Sequence, residues 1–293
     1  MSVIGKIEMS DSQFAQLREI VYARAGIHFA ENKKYILESR LCHRLRELEM
    51  EDFDQYIAFL TMGPYQTEEF QEMFNRITIN ETSFFRHEAQ LGVFEKTILP
   101  ELLQARASAK SLRIWSSASS SGEEPFTLAM LVHRSLGARL RDWNVEILGT
   151  DISERALKIA QSGRYTDYAM RSTPDLVKSR YFKQDGQEWV LSDEIRSMVS
   201  YELHNLKETT AARRFGTFDV IFCRNVMIYF DDTMKDRVLK GFASQLAADG
   251  TLFIGHSETV KSATLPFDAL DIPHGFCYRV RGSEQGGRVR AAA

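Results

Sequence analysis

Leu112-Arg113-Ile114-Trp115-Ser116-Ser117-Ala118-Ser119-Ser120-Ser121-Gly122-Glu123-Glu124-Pro125, followed downstream by Val145-Glu146-Ile147-Leu148-Gly149-Thr150-Asp151, decides the fold. The opening apolar run predicts a buried strand, and the small residues after it predict a turn. Ser121 and Glu124 stand at capping-box spacing, and Pro125 suits the first turn of a helix carrying Phe126, Leu128, Ala129, Met130 and Val132. The second strand ends on an acid. Strand, small-residue turn, helix, strand, acid is the plan of a nucleotide-binding βαβ unit, in which the turn admits a ligand to the backbone and the acid grips ribose hydroxyls. Serines and an alanine replace the usual G-x-G-x-x-G, so a plain structural connection stays open beside a nucleoside site.

The α/β rhythm continues outward. Ser153 caps a helix packed through Ala156, Leu157, Ile159 and Ala160. Strands are predicted at Val199–Leu206, Phe218–Cys223, Thr251–Gly255, Phe267–Leu270 and Phe276–Val280, with a helix from about Asp232 to Leu246. Between residues 163 and 198 the rhythm breaks into short aromatic runs with an Asp185-Gly186 turn, which predicts a small β-rich insertion. Upstream, residues 10 to 77 predict four amphipathic helices. Ser10 and Gln13 cap the first, Gly26 stops it, and Leu37, Leu41, Leu45 and Leu48 line the second, from about Glu31 to Glu49. Phe53, Tyr56, Ile57 and Leu60 mark the third, and Phe70, Met73, Phe74 and Ile77 the fourth. A further helix through Leu91, Phe94 and Ile98 ends near Pro100 or runs on through Leu103.

The expected fold class is α/β: a doubly wound sheet with an N-terminal helical bundle and a small antiparallel β insertion. The expected domains are 1–77, then 78–281 with the insertion at about 163–198, then a disordered tail at 282–293. A chain of 293 residues accommodates a large and a small unit. A net charge of −3 argues against bulk nucleic-acid binding. No apolar run approaches the ~20 residues of a membrane span, and no signal-peptide core is present, so a cytoplasmic location is expected. Cys42, Cys223 and Cys277 are far apart and show no ligand spacing, which favours buried reduced thiols and no metal.

Ser116 to Glu123, Asp151, Asn205-Leu206 and Arg224-Asn225 each follow a predicted strand. In an open parallel sheet those ends face one crevice, so the pattern predicts a ligand site. His256 also follows a strand, where a structural role outweighs a catalytic one. The segment Thr78-Ile79-Asn80-Glu81-Thr82-Ser83-Phe84-Phe85-Arg86 predicts a cover for that site, polar tips inward and the phenylalanines as anchors. The second helix bears Lys33, Lys34, Arg40, His43, Arg44 and Arg46. They form either a solvated face with pairs such as Arg44–Glu47 and Arg46–Glu49, or a docking surface for an acidic partner.

Taken together, Asn80 through Arg86, Trp115 through Pro125, Gly149 through Ser153, Phe218 through Phe230 and Gly255-His256-Ser257-Glu258 resemble the CheR family. These are chemotaxis-receptor glutamate methyltransferases that use S-adenosylmethionine. The resemblance covers residues 10 to about 280 and implies a class I methyltransferase-like sheet. It implies that Asn80, Thr82 and Arg86 close over the cofactor, with Arg86 on the methionine carboxylate, and that Glu123 holds the methionine ammonium. It implies Asp151 on the ribose, Asn205 and Leu206 around adenine, and Arg224 and Asn225 on the inner wall near the methyl. Arg86 or Tyr229 would steer the substrate carboxylate. The products would be a glutamate γ-methyl ester and S-adenosylhomocysteine. A bundle that docks acidic receptor methylation helices through Lys33, Lys34, Arg40, Arg44 and Arg46 is implied as well. Some relatives grip a receptor pentapeptide with a glycine-rich loop in the β insertion. Here Lys183 to Glu188 hold one glycine, so pentapeptide-independent binding by a monomer is expected. A dinucleotide-dependent dehydrogenase and a cofactor-sensing adaptor that does not methylate are the alternatives.

Overall fold

Helix α1 (Asp11–Ala25) starts with the expected reciprocal cap: Gln13 N–H donates to Ser10 Oγ at 3.2 Å and Ser10 N–H to Gln13 Oε1 at 2.9 Å. It stops at Gly26, whose φ of +72° favours glycine. The structure, a computed structural model, describes residues 7–260 and 265–282; from residue 283 on, the expected disordered tail lies outside the described residues. A 3₁₀ turn at Glu31–Lys33 leads into α2 (Lys34–Glu47), followed by α3 (Phe53–Met62) and α4 (Gln66–Ile77). Leu37, Leu41 and Leu45 pack with Leu17, Phe53, Tyr56, Leu60 and Met73 into a core of the bundle's own.

The next helix is continuous but not uniform. Between α5 (Glu88–Val93) and α6 (Leu99–Ala105) runs a π-helical turn at Phe94–Ile98. Pro100 has no N–H to give back to the preceding turn, and the wider turn lets the helix pass it and run beyond Leu103.

The α/β part runs β1 (Ser111–Ser116), α7 (Glu123–Leu136), β2 (Asn144–Asp151), α8 (Glu154–Ser162), β3 (Arg164–Thr166), α9 (Asp175–Tyr181), β4 (Phe182–Asp185), β5 (Glu188–Leu191), α10 (Asp193–Arg196), β6 (Val199–Leu203), β7 (Phe218–Cys223), α11 (Asp232–Ala243), β8 (Leu246–Ile254), β9 (Phe267–Ala269) and β10 (Cys277–Val280). The seven-stranded sheet has the order β6-β2-β1-β7-β8-β10-β9, parallel except that β10 runs against both of its neighbours. The chain winds from β1 out to β6 and resumes at β7 on the opposite side. The strand order therefore reverses between β1 and β7, and the crevice opens above that point. Every residue of β7 is buried, as its largely apolar sequence requires; its one charged residue, Asp219, accepts from Arg106 Nε at 2.9 Å and from Arg113 N–H at 2.8 Å. Trp115 lies against Phe218 and Phe242 and donates to Thr150 Oγ1 at 3.0 Å.

The insertion forms a separate antiparallel sheet, β3-β5-β4, flanked by α9 and α10. Asp185 pairs with Glu188, so only Gly186 and Gln187 make the turn, with Gly186 at φ +62°. Phe84 fastens this sheet to the main domain, edge-on to Tyr165 and Phe182 at 4.7 and 5.0 Å between ring centroids.

The bundle is bonded to the crevice rim. The last carbonyls of α1 accept from Lys207 Nζ and, at 2.7 Å, from Asn205 Nδ2, cationic and amide donors where the helix dipole is negative. Ile27 bridges Phe230, with His28 N–H donating to Tyr229 O at 2.8 Å. Asn75 Oδ1 accepts from Ser153 Oγ, the cap of α8, at 2.9 Å.

Candidate active site

A cavity of about 480 Å³ lies at the reversal point, walled by the ends of β1, β2 and β7 and by the bundle. That volume is in the range of sites for a cofactor-sized molecule. Of the expected cofactor and substrate residues, Asn80, Thr82, Arg86, Asp151, Asn205, Leu206, Arg224, Asn225 and Tyr229 all line it. Glu123 does not.

The floor is the serine-rich turn. Ser117 N–H and Oγ both donate to Phe222 O, and Ser119 N–H donates to Thr150 O at 2.8 Å. The capping box expected of Ser121 and Glu124 is absent. Gly122 is the cap residue at φ +95°, because a Cβ there would meet Tyr201 Oη at 2.6 Å and Ala160 Cβ at 2.7 Å. Ser121 Oγ instead donates to Glu123 Oε2 at 2.7 Å, and Glu124 turns toward the cavity, where Ser116 Oγ donates to it at 2.8 Å.

Glu124 then meets Arg224. Their ion pair is 2.9 Å long with side chains 13% and 3% exposed, and Arg224 also donates to Arg86 O at 2.8 Å. One buried guanidinium thus ties together the turn after β1, the loop after β7 and the covering segment. In that segment Phe84 and Phe85 are buried while Asn80, Thr82 and Arg86 line the cavity, as the sequence suggests.

Asp151 ends β2 with one carboxylate oxygen accepting from Ser120 N–H at 2.8 Å and the other from Ser153 N–H at 2.9 Å. A carboxylate has about four acceptor sites, so each oxygen keeps a lone pair for a hydroxyl. Asn205 behaves differently: its amide is taken up by Arg24 O and by Lys207 N–H, so this side chain joins the domains. Leu206 and His204 form the apolar wall, His204 lying edge-on to Phe215. Burial pulls His204 down to about 4, which keeps it neutral.

Glu123 sits behind the turn, and burial pushes its carboxyl up to about 7. A raised folded-state value means that this carboxyl costs nothing below its ordinary value near 4.5, that its cost grows as pH rises from there to about 7, and that this cost is fully present above that. Glu123→Gln is therefore expected to raise thermal stability at pH 8, by about 1–3 kcal/mol, and to leave it unchanged at pH 4.5. Parallel melting curves at the two pH values check this, and an equal shift at both would refute it.

At the cavity mouth, Tyr229 is half-buried beside Arg40 and Arg86. Burial pushes its phenol up and the two cations act against that, so it stays a protonated donor at neutral pH. Arg40 donates to Ile77 O and Arg86 to Glu81 O. Neither forms an ion pair among the described residues. Ile79 and Ile228, 48% and 51% exposed, complete the rim.

The expected basic row divides. Lys33 and Arg40 line the cavity and Arg46 is exposed, without an ion pair among the described residues. Lys34 pairs with Asp11 at 2.5 Å. Arg44 faces inward: it pairs with buried Glu69 at 2.6 Å, which also accepts from Tyr56 Oη, and reaches Glu47 at 3.1 Å. That internal network takes Arg44 out of the exposed row. The Arg46–Glu49 pair does not form. His256 is exposed, lies against His87 with ring centroids 4.4 Å apart and planes tilted by 49°, and is off the cavity wall.

The lining suits an adenosyl group with an amino-acid end. Ser119 Oγ, His204 Nε2 and Arg224 Nε are buried at this wall without protein partners, and buried polar atoms of that kind call for a ligand or water. Sequence reasoning missed Glu124, taken there as a cap, and His204, whose position just after a strand was its only signal.

Comparison with known proteins agrees. The family described as CheR methyltransferase, SAM binding domain, matches residues 80–276, and that described as CheR methyltransferase, all-alpha domain, matches residues 12–78. Chemotaxis protein methyltransferase 2 of Vibrio cholerae is 33% identical over 259 residues, 88% of each chain. The chemotaxis protein methyltransferase of Escherichia coli is 34% identical over 264 residues, again 88% of each. Among solved structures, the rRNA methyltransferase aviRa from Streptomyces viridochromogenes is 12% identical, with a TM-score of 0.41 over 69% of this chain and 86% of that one. The chain belongs to the CheR methyltransferase family and is an S-adenosylmethionine-dependent methyltransferase of chemotaxis.

Proposed function

We propose that the chain methylates glutamate side chains on the cytoplasmic helices of membrane chemoreceptors, giving γ-methyl esters and S-adenosylhomocysteine. The observation that carries the substrate choice is the mouth, where Tyr229 stands beside Arg40 and Arg86 and neither arginine has an acidic partner among the described residues. A side-chain carboxylate fits there. Glutamate has an ordinary pKa near ~4.3 and is already a nucleophile at neutral pH, so no general base is needed. Family membership sets aside the dehydrogenase and adaptor alternatives.

S-Adenosylmethionine supplies an electrophilic methyl group on a positively charged sulfur. Asp151 would take the ribose hydroxyls, Leu206 and His204 the adenine, and Asn80, Thr82 and Arg86 the methionine end. Glu123 would take the ammonium by swinging from Ser121 Oγ into the cavity. Arg224 and Asn225 would wall the reacting centre, while Arg86 and Tyr229 align the incoming carboxylate. Alignment of oxygen, carbon and sulfur in a dry site is the main catalytic contribution, and orientation of this kind is worth roughly 7–11 kcal/mol.

Lys33, Arg40 and Arg46 are the proposed docking cations, since opposite charge sets register and on-rate. Reversing Arg46, which is exposed and lies off the cavity wall, is expected to raise receptor KM about 10-fold, the effect of roughly 1.4 kcal/mol, with cofactor affinity unchanged. Steady-state kinetics beside calorimetry checks this; an unaltered KM would count against docking here. The two-residue turn at Gly186-Gln187 supports receptor recognition without the pentapeptide. Calorimetry with such a peptide is expected to show no micromolar binding, and micromolar binding would overturn that expectation.

The proposed reaction is tested by supplying labelled S-adenosylmethionine and receptor cytoplasmic fragments, then releasing label with alkali. Base-labile label on glutamate is expected. Alkali-stable label, or none despite cofactor binding, would contradict the proposal.

A further inference from the structure

Gly255-His256-Ser257-Glu258 closes the turn after β8, with Glu258 N–H donating to Gly255 O at 2.9 Å. Glu258 is 6% exposed and does not line the cavity. Among the described residues no cation forms an ion pair with it, Arg224 acting on it only at longer range, and a buried carboxylate so placed needs other donors. Among the described residues it has four, all from the backbone. Oε2 accepts from Gly255 N–H at 2.6 Å and Asn225 N–H at 3.0 Å, and Oε1 from Val226 N–H at 3.0 Å and Met227 N–H at 2.8 Å.

Three of those donors are consecutive, in the loop that carries Asn225 and Tyr229. Asn225 sits at φ +59°, a left-handed conformation that asparagine adopts more readily than most residues. The far end of the same loop is anchored on the bundle, where Tyr229 O accepts from His28 N–H. Gly255 is the necessary companion: a Cβ there would meet Glu258 Oε2 at 2.6 Å and Asn225 N at 3.0 Å.

We propose that Glu258 is a positioning residue for methyl transfer: its carboxylate gathers the 225–227 amides and so presets Asn225 and Tyr229 at the reacting end of the cavity. It touches neither cofactor nor substrate. Arg224 is held separately, by Glu124 and Arg86 O, so loss of the clamp frees the 225–229 stretch of the wall and leaves Arg224, Asp151 and Leu206 in place for the cofactor. The kinetic consequence rests on the proposed receptor substrate; the clamping does not.

The test compares wild type with Glu258→Gln and Gly255→Ala. The amide of Glu258→Gln has only one acceptor oxygen for four donors, and Gly255→Ala keeps the carboxylate but displaces it. Both are expected to speed hydrogen exchange of the 225–227 amides. Both should lower kcat per S-adenosylhomocysteine-binding site by about 100-fold, the effect of misplacement by roughly 1 Å, while the affinity for S-adenosylhomocysteine changes less than about threefold. A residue that only stabilised the fold would lower the melting temperature and the number of binding sites, with kcat per site unchanged. Normal kcat per site, or unchanged exchange at 225–227, in either folded variant overturns the proposal. If Glu258→Gln does not fold, Gly255→Ala decides. If wild type itself fails to label receptor fragments, the proposed substrate falls and the exchange arm still decides the clamp.

Discussion

Arg224→Met is expected to destabilise the chain by about 3–5 kcal/mol and to abolish cofactor binding. The reason is the company Arg224 keeps. Its side chain is 3% exposed, and its partner Glu124 is 13% exposed at 2.9 Å, so removing the cation leaves a carboxylate in a poorly solvated place. Ser116 Oγ is the other donor to Glu124, and one hydroxyl does not replace a guanidinium. Arg86 O loses its donor as well, which releases the covering segment from the β7 loop. Denaturant unfolding and calorimetric titration with S-adenosylhomocysteine separate the two effects. In the double variant Arg224→Met with Glu124→Met, much of the stability should return, because an apolar pair can replace a buried ionic one. Cofactor binding should not return. Wild-type affinity in the double variant would show that this pair has no part in shaping the cavity.

The second large effect is on turnover. Arg86→Ala removes a cation whose guanidinium, among the described residues, has no acidic partner and donates to Glu81 O. A charge-assisted contact to a carboxylate is worth about 1.5–3 kcal/mol, so kcat/KM should fall roughly 10- to 100-fold. Tyr229→Phe removes a neutral donor and should cost about 3- to 10-fold, the smaller range of an uncharged hydrogen bond. Burial pushes the Tyr229 phenol up, so it remains a donor throughout the neutral range and the wild-type profile should show no tyrosine titration below pH 9. Initial rates at saturating cofactor measure both. If both variants keep normal turnover, neither residue steers the carboxylate.

Local periodicity made much of this architecture legible. Phe218 to Cys223 is apolar except for Asp219, which pairs with Arg106, because β7 is covered on both faces, and the spacings of Leu37, Leu41 and Leu45 already mark one buried stripe. The crevice followed from polar residues after four predicted strands, and it is where those residues converge. What stayed hidden depends on partners distant in sequence. The S-x-x-E spacing of Ser121 and Glu124 is local, but Gly122 takes the cap in a left-handed conformation where a Cβ would meet Tyr201, and Arg224 draws Glu124 away. Arg44 lies on a face that looks polar, yet its partner Glu69 arrives 25 residues later in another helix. The amide of Asn205 binds a carbonyl 181 residues away, at the end of α1. Glu258 sits in a quoted motif, but nothing nearby announces that three of its four donors lie beyond β7.

The central claim is that one cavity, walled by the sheet and the bundle together, holds the cofactor. The most direct measurement is backbone hydrogen exchange of the intact chain with and without saturating S-adenosylhomocysteine. Exchange should slow in the segments 27–30 and 77 of the bundle and in 78–83, 117–120, 151–152, 204–206, 224–226 and 228–230, which line the cavity from the bundle and the sheet together. Slowing confined to the β insertion at 163–198, or binding with no slowing in those segments, would contradict it.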